Sequence, residues 1–314
     1  MIPLIKLKKD VQFNAEFTKV VDVMKGIAAA RFTVLQRQLS LFEPFTRAAD
    51  DMLGLVDLSL VDHPFVVPRS EKMGVIVVTT DSGFLGGLNS HVVYAAVSAG
   101  GPGAAYTVVG DRGVSAMKDM RLSGSIDAFP GIEEGTRLSL ALAIRDHVVA
   151  QCLEGAIGKL VIVYPKPLSF SSQRVVAEPL LPCSSWVTAR EDRNQVDLLW
   201  ESHPNMIVEY VITKWLGHRF DEIFALSRLS ELGARATHLE GSFQELQRFG
   251  KKLRHEYHRA RHEVIDRSMR EIFSASSLLG RKGGAPASVA PIEDEQMHAA
   301  LDSAQSPIDS GEPS

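Results

Sequence analysis

One heptad pattern constrains this chain more than any other feature. Between Leu229 and Val264, small or apolar residues recur at alternating spacings of three and four residues. The members of this series are Leu229, Leu232, Ala236, Leu239, Phe243, Leu246, Gly250, Leu253, Tyr257, Ala260 and Val264. A repeat that persists for this length is typical of a coiled-coil helix. We therefore predict a single helix over residues 204–279 that pairs with a second helix.

The N-terminal region is expected to supply that second helix. No proline lies between Pro3 and Pro44, and a shorter heptad series marks a contact face. Its members are Phe13, Phe17, Val20, Met24, Ile27, Arg31 and Val34. Residues 1–57 are assigned to this helix, which Pro44 is expected to kink or end. Because the two helices flank an intervening domain, the simplest arrangement is antiparallel.

The middle of the chain has a different pattern of apolar residues. Three apolar runs of strand length, GVIVVTT, AAYTVVG and KLVIVYP, each stop at a turn signal, the second at the sequence Gly-Asp-Arg-Gly of residues 110–113. Helical patterns follow at His91–Val97 and Leu138–Leu153. Apolar strands that alternate with helices predict a doubly wound, mainly parallel α/β domain, Rossmann-like, over residues 70–203. The predicted fold is thus a long antiparallel coiled coil of the N- and C-terminal helices with an inserted α/β domain.

Composition restricts the class of function. The net charge of −4 predicts no strong field for nucleic acid, and two cysteines form neither a disulfide framework nor a metal cluster. No apolar stretch reaches the roughly 18 residues of a membrane span. Residues 280–314 are rich in Gly, Ala, Ser, Pro and acidic residues, so a disordered acidic tail is predicted there.

The stretch TTDSGFLGGLN (Thr79–Asn89) follows the first predicted strand. Its glycine spacing matches neither the dinucleotide fingerprint nor the phosphate-binding P-loop, and its serine lacks the first glycine of a nucleophile turn. We interpret it as a tight strand-to-helix turn in which glycines allow unusual backbone angles and Asn89 caps a helix. The residues assigned to this fold turn are Asp81, Gly83, Gly86, Gly87 and Asn89.

Three histidines lie near one face of the last predicted helix, at His255, His258 and His262. A metal site is one interpretation, and a solvated basic face beside neighbouring arginines is favoured over it. The same basic cluster also contains acidic residues, which disfavours a nucleic-acid interface.

Three blocks of the sequence, in the same order, resemble the gamma subunit of F-type ATP synthases. They are VMKGIAAAR (Val23–Arg31), TTDSGFLGGLN, and the pair SELGARATHLE (Ser230–Glu240) and LRHEYHRARHEVIDRSMREIFSAS (Leu253–Ser276). The resemblance implies a non-catalytic rotor shaft without a cofactor, coupling c-ring rotation to conformational change in the beta subunits. It implies as partners the alpha and beta subunits of the catalytic ring, the epsilon subunit and the membrane c-ring. Nucleic acid is not expected as a partner, and membrane contact is expected only through these subunits.

The resemblance also implies a rotor–stator contact and a location. Matching positions in this chain are Met24, Lys25, Arg31, Arg235, Arg261 and His262. The chain begins in register with the family, so a transit peptide is not expected. The expected location is the cytoplasmic face of a bacterial inner membrane, as a peripheral protein. Two alternatives stay open: a gamma-like paralogue that acts as a coiled-coil interaction protein, and an α/β nucleotide-binding enzyme.

Overall fold

The computed structural model describes residues 3–39, 61–183 and 202–280, together with residues 42, 44, 48 and 58. The chain divides into two compact units. One comprises residues 9–253, and the other combines residues 1–8 with residues 254–314. The end of the predicted N-terminal helix, residues 40–57, lies largely outside the described residues. The predicted tail over 280–314 lies outside them except for Gly280, which ends the last helix.

Ten helices and strands are described along the chain. They are α1 (Leu4–Gln38), β1 (Met73–Val78), α2 (Leu88–Gly100), β2 (Ala105–Val109), α3 (Asp111–Asp119), β3 (Ile126–Phe129), α4 (Arg137–Leu153), β4 (Lys159–Pro167), β5 (Gln173–Leu181) and α5 (Pro204–Gly280). The two terminal helices have 35 and 77 residues. The predicted class, an α/β sheet between long N- and C-terminal helices, is confirmed.

The five strands form one sheet in the order β3-β2-β1-β4-β5. Strands β1 to β4 are parallel, and β5 runs antiparallel to β4. Sequence patterns identified β1, β2 and β4 but not β3 and β5. Only two residues of β5 are buried and none of β3, so neither strand presents a continuous apolar run.

Helices cover both faces of the sheet, as a doubly wound domain requires. Side chains alternate along β1, so that Val75 and Val77 face α2 and α3, whereas Ile76 and Val78 face α4 and the start of α5. The second face is the larger core, and α5 contributes its residues from Val208 to Phe224 to it. The first five turns of α5 are therefore part of the α/β domain.

A correction concerns residues 110–113, which were predicted to form a turn. Strand β2 ends at Val109, and the helix α3 begins directly at Asp111. Gly110 takes a φ of 95°, which lets the chain turn within one residue. The Gly-Asp signal therefore marks a helix start rather than an extended turn.

Candidate functional site on the helix pair

Helices α1 and α5 pair in antiparallel fashion within the unit of residues 9–253. Near one end of the pair, the Asn14 amide donates to the Leu246 carbonyl at 3.2 Å. Further along, the Lys25 ammonium lies 3.0 Å from the Glu240 carboxylate. Phe32 and Leu35 then join Leu229 and Leu232 in one buried cluster. Rising residue numbers on α1 thus meet falling numbers on α5, which confirms the antiparallel arrangement.

The contact face predicted for α1 is wrong by one residue. Phe13 is 68% exposed, and Phe17, Val20, Ile27 and Val34 are exposed as well. The residues located one position after each predicted residue are the ones that face α5. They are the buried Asn14, Val21, Ala28, Phe32 and Leu35 and the half-buried Thr18 and Lys25. One residue corresponds to about 100° of rotation about the helix axis.

The physical reason for the error is that the buried face is the less apolar of the two. It includes Asn14, whose side chain needs room: a Cβ at Gly250 would lie 2.5 Å from the Asn14 amide nitrogen. Gly250 on α5 therefore has a packing role opposite a polar residue. Six exposed apolar side chains of α1 lie on the outer face, which we call the outer stripe: Phe13, Phe17, Val20, Met24, Ile27 and Val34.

Met24 and Lys25 were predicted as neighbours in one contact, and the structure gives them different surroundings. Met24 belongs to the outer stripe and is 37% exposed. Lys25 forms ion pairs with Asp22 and Glu240, at 2.8 and 3.0 Å, and its ammonium lies 4.4 Å from the centre of the Phe243 ring. The hydrogen bond that Lys25 donates to Asp22, then the one that it donates to Glu240, raises the Lys25 pKa above its ordinary value. Lys25 thus joins the two helices.

Arg31 and Arg235 also lie in different settings. Arg31 is exposed on α1. Arg235 is within 2.5 Å of Glu231, a buried carboxylate that Arg228 also contacts at 2.5 Å. Because a buried carboxylate is costly unless it is paired, the two arginines stabilise Glu231 in place on α5. Sequence patterns identified Arg235 but gave no role to Glu231 or Arg228.

Arg261 and His262 lie in the second unit, where both side chains are exposed. His255 and His258 are exposed on the same helix. Among the residues that the structure describes, no group of three or more His, Cys, Asp or Glu side chains is arranged to hold a metal ion.

The loop after β1 is held by Asp81. One carboxylate oxygen of Asp81 accepts from the backbone N–H of Asp111 at 2.7 Å, and the other accepts from that of Gly131 at 3.1 Å. These donors follow β2 and β3, so one side chain ties together the carboxyl ends of three neighbouring strands. The N–H of Asp111 is also a donor at the start of α3, where a nucleotide phosphate would be bound in an α/β enzyme. Here a carboxylate of the chain itself occupies it.

Of the three glycines in this loop, Gly86 has the unusual backbone angle expected of the turn, with a φ of 60°. Phe84 also has a positive φ, 63°. The prediction that Asn89 caps α2 is wrong, because Gly87 is the capping residue and has no side chain to offer. The Asn89 amide donates instead to the Thr80 hydroxyl at 3.0 Å and closes the loop from inside. A Cβ at Gly87 would lie 3.3 Å from the His91 ring, and one at Gly83 would lie 3.8 Å from Arg112.

A polar network that the sequence did not indicate fixes α5 to the edge of the sheet. Arg219 contacts both carboxylate oxygens of Glu178 at 2.6 and 2.7 Å and one of Glu222 at 2.6 Å. The Tyr164 hydroxyl donates to Glu178 at 3.0 Å. Burial disfavours the charged guanidinium, but the two carboxylates outweigh it and raise the Arg219 pKa. Burial, then Glu178, raises the Tyr164 pKa.

Two further observations concern the whole described chain. Cys152 and Cys183 are both buried and not in a disulfide. Among the described helices, none is both long and apolar enough to cross a membrane.

Comparison with known proteins identifies the family. A family model described as ATP synthase matches residues 5–279. The ATP synthase gamma chain of Chlorobium phaeobacteroides is 26% identical over 291 residues, covering 86% of this chain and 98% of that protein. The gamma chain of Moorella thermoacetica is 23% identical, with 87% and 98% covered.

Solved structures show the same fold. A chain of the Euglena gracilis mitochondrial ATP synthase rotor is similar with a TM-score of 0.60 and 17% identity, covering 83% of this chain and 98% of that one. A chain of the OSCP/F1/c-ring structure from the same organism has a TM-score of 0.64 and 15% identity, with 91% and 98% covered. With the helix pair, the sheet and the matched residues in agreement, this chain belongs to the ATP synthase gamma family.

Proposed function

We propose that this chain is the non-catalytic rotor shaft of an F-type ATP synthase. In this proposal the helix pair turns inside a ring of alpha and beta subunits, while the α/β domain and the epsilon subunit attach to the membrane c-ring. Ion flow turns the c-ring and the shaft with it. The complex is located on a bacterial inner membrane, and the shaft is on its cytoplasmic face.

The outer stripe of α1 is the observation that carries this proposal. Phe13 and Phe17 stack on each other with ring centres 6.0 Å apart, and both rings are exposed in the chain alone. An exposed apolar surface of this kind is typical of a protein interface. The adjacent face of α1 is occupied by α5, so the outer stripe is available to a surrounding partner. A ring of subunits with an apolar inner surface fits it.

The proposed mechanism follows from the asymmetry of the pair. The apolar outer stripe lies on one side only, with Met24 on it and the exposed Arg31 beside it. A beta subunit that meets the stripe experiences different contact energies from one that meets a polar side of the shaft. Rotation therefore shifts each beta subunit among its conformations, because only differential contact energy changes such an equilibrium.

The residues proposed to contact the stator do not all act in the same way. Met24, Arg31, Arg261 and His262 are exposed and are proposed to touch the alpha and beta subunits directly. Lys25 and Arg235 are engaged within the shaft by Glu240 and Glu231. We propose that these two residues support the shape and charge of the contact surface from beneath.

The nucleotide-binding alternative has no support in the glycine-rich loop after β1, whose glycine spacing matches neither phosphate-binding motif, and little at the next helix start. The backbone donor at the start of α3 already bonds to Asp81. A nucleotide phosphate bound there would have to displace this carboxylate, and the two negative charges would repel each other. The paralogue alternative differs in its partners, and an experiment on partners separates the two.

The test is purification of the tagged chain from its native host, with identification of the proteins that accompany it. Recovery of alpha, beta and epsilon subunits with ATPase activity supports the rotor. A matched pair of variants sharpens the test: Phe13→Ser together with Phe17→Ser is expected to weaken recovery, whereas Lys19→Ser on another exposed face is not. Recovery of the chain alone, while a second gamma chain occupies the synthase, contradicts the proposal.

A further inference from the structure

Helix α5 carries a run of small residues directly after its buried Leu232: Gly233, Ala234 and, beyond Arg235, Ala236. Two tips of the α/β domain reach the helix at this level. One is the turn between β4 and β5, around Phe170. The other is the glycine-rich loop after β1. Small residues allow such close approach of one backbone to another.

The β4–β5 tip contacts both helices at once. A Cβ at Gly233 would lie 2.6 Å from the Phe170 carbonyl oxygen and 3.3 Å from the Phe32 ring. The Phe170 ring meets the Phe32 ring edge to face, with centres 5.0 Å apart and planes at 83°. No side chain larger than hydrogen fits at position 233 without moving the tip. The tip is therefore seated in a notch that Gly233 leaves open between α1 and α5.

Hydrogen bonds make the tip itself a defined structure. The backbone N–H groups of Leu168 and Ser169 both donate to the Ser172 carbonyl, at 3.0 and 3.1 Å. The Gln173 amide donates to the Phe170 carbonyl at 3.2 Å. Below the tip, the buried Ser230 hydroxyl donates to the Pro165 carbonyl on β4 at 2.9 Å. The strand pair is thus anchored to α5 at two levels.

The glycine-rich loop holds α5 from another direction. Leu85 and Leu88 form a buried cluster with Ala234, and a Cβ at Gly86 would lie 3.6 Å from the His238 ring. Adjacent helical residues such as Gly233 and Ala234 point about 100° apart around the axis. With α1 packed on Leu232, α5 is held on three sides within two turns. We call this arrangement the collar; its residues are Phe32, Leu85, Leu88, Phe170, Gly233 and Ala234.

The position of the collar matters for stiffness. The larger sheet core contacts α5 as far as the partly buried Leu226, and Lys25 meets α5 at Glu240. The collar contacts at Gly233 and Ala234 lie between these two levels, which are about 21 Å apart along the helix at 1.5 Å per residue. The twist of a shaft under a given torque is proportional to its unsupported length. The collar therefore adds contacts within the section of α5 where twist would otherwise accumulate.

We propose that the collar fixes the rotational setting of the helix pair against the α/β domain, and that Phe170 and Gly233 are positioning residues for energy coupling. The inference rests on the rotor function proposed above. It identifies the level of α5 at which torque passes between the α/β domain and the helix pair. Tip and helices move as one body through a rotary cycle. Loosening the tip lets the helix pair lag behind the α/β domain.

The first test compares variants of the complete complex in sealed vesicles. Phe170→Ala removes the ring but no buried core, since this side chain is 42% exposed. We expect ATP hydrolysis to continue while the ion potential generated at an equal hydrolysis rate falls at least about twofold, the population change that loss of one aromatic pair can produce. Phe170→Tyr retains the ring and is expected to restore coupling. Leu168→Ala, on the same turn and 62% exposed, is the matched control.

The second test holds the tip in place covalently. Ser171 and Thr237 both line a cavity of about 390 Å³ beside the tip, so cysteines at these two positions can be joined by a short bifunctional thiol reagent. Because both belong to one rigid body in this proposal, the joined complex is expected to keep its full coupled turnover. Joining Ser171→Cys and Thr237→Cys in a Phe170→Ala background is expected to recover the lost coupling.

The results that overturn the collar differ from the result that overturns the rotor function. Full coupling in the Phe170→Ala complex, or loss of turnover on joining the tip to α5, overturns the collar. Failure of the unaltered chain to bring down alpha and beta subunits overturns the rotor function instead. A Phe170→Ala chain that assembles normally yet couples poorly, with Leu168→Ala unaffected, supports both.

Discussion

Lys25 on α1 reaches Glu240 on α5 at 3.0 Å and lies 4.4 Å from the centre of the Phe243 ring. Since both side chains are partly exposed, 27% for Lys25 and 45% for Glu240, salt should screen their attraction. We predict that Lys25→Met lowers the urea midpoint of the chain slightly at low salt and has no effect at about 1 M salt, where the Debye length is about 3 Å. Lys19→Met, an exposed lysine on the same helix, should have no effect at either salt concentration.

The same ion pair has a defined pH window. The Gln244 amide, then Lys25, lowers the pKa of Glu240 below its ordinary 4.5, so this contribution is present above pH 4.5 and is lost as the pH falls through the lower folded value. The Lys25 pKa is raised above 10.5, so its contribution is lost only as the pH rises through that higher value. The difference between Lys25→Met and the unaltered chain should therefore be constant between these limits. A difference that changes between pH 6 and pH 9 would contradict this assignment.

The outer stripe should be nearly irrelevant to the stability of the free chain. We predict that Phe13→Ser changes the free energy of unfolding by less than about 0.5 kcal/mol, as for other exposed positions. Phe32→Ser, on the buried face of the same helix, should cost about 3–5 kcal/mol. Urea unfolding followed by circular dichroism measures both. If Phe13→Ser were as costly as Phe32→Ser, α1 would be packed in solution on the face that the heptad pattern had indicated.

That heptad pattern shows how far sequence reasoning reached. On α5 it found the right face, because Leu229, Leu232 and Leu239 are both apolar and buried. On α1 it chose the more apolar of two adjacent faces and was wrong, since the partner helix accepts Asn14 and Lys25 and leaves Phe13 and Phe17 outside. Periodicity reports an apolar stripe, and it does not report which neighbour covers that stripe.

The contacts that assemble the candidate site were beyond sequence reasoning for a similar reason. Asp81 was assigned to the turn, but its two acceptor bonds join residues 30 and 50 positions away. Phe170 lies in the turn between β4 and β5, whereas its partner Phe32 lies on α1, which precedes every strand of the sheet in the sequence. Such pairs are set by topology, and local pattern carries no signal for them. The small residues Gly233 and Ala234 were the available hint that another backbone approaches α5.

The two cysteines give a prediction about chemical reactivity. Burial raises the pKa of Cys152 to about 12 and that of Cys183 to about 11. Because the thiolate is the reactive form, both thiols should resist maleimide labelling in the folded chain at pH 8 and still at pH 10. Both should label rapidly in urea. Counting labelled sites by mass spectrometry checks this, and any labelling of folded chain at pH 8 would contradict it.

The raised thiol pKa values also have a consequence for stability. The folded state keeps its thiols protonated, whereas the unfolded chain loses these protons near pH 8.5. Stability from these two groups is therefore full below that pH and decreases as the pH rises toward 11. Cys152→Ala and Cys183→Ala should each flatten this alkaline decrease. The same variants supply a thiol-free background for placing new cysteines at the β4–β5 tip.

Asp81 should be the most sensitive residue of the glycine-rich loop. Asp81→Ala leaves the N–H groups of Asp111 and Gly131 without their acceptor, and we predict a loss of about 1–2 kcal/mol in the free energy of unfolding. Asp81→Asn keeps one oxygen and should lose about half as much, whereas Asp119→Asn on the exposed end of α3 should lose nothing measurable. Gly131→Ala should act like Asp81→Ala, because its Cβ would overlap the Asp81 carboxylate. The double variant should then cost little more than either alone, since both changes break the same contact; additive losses would show that the two residues act separately.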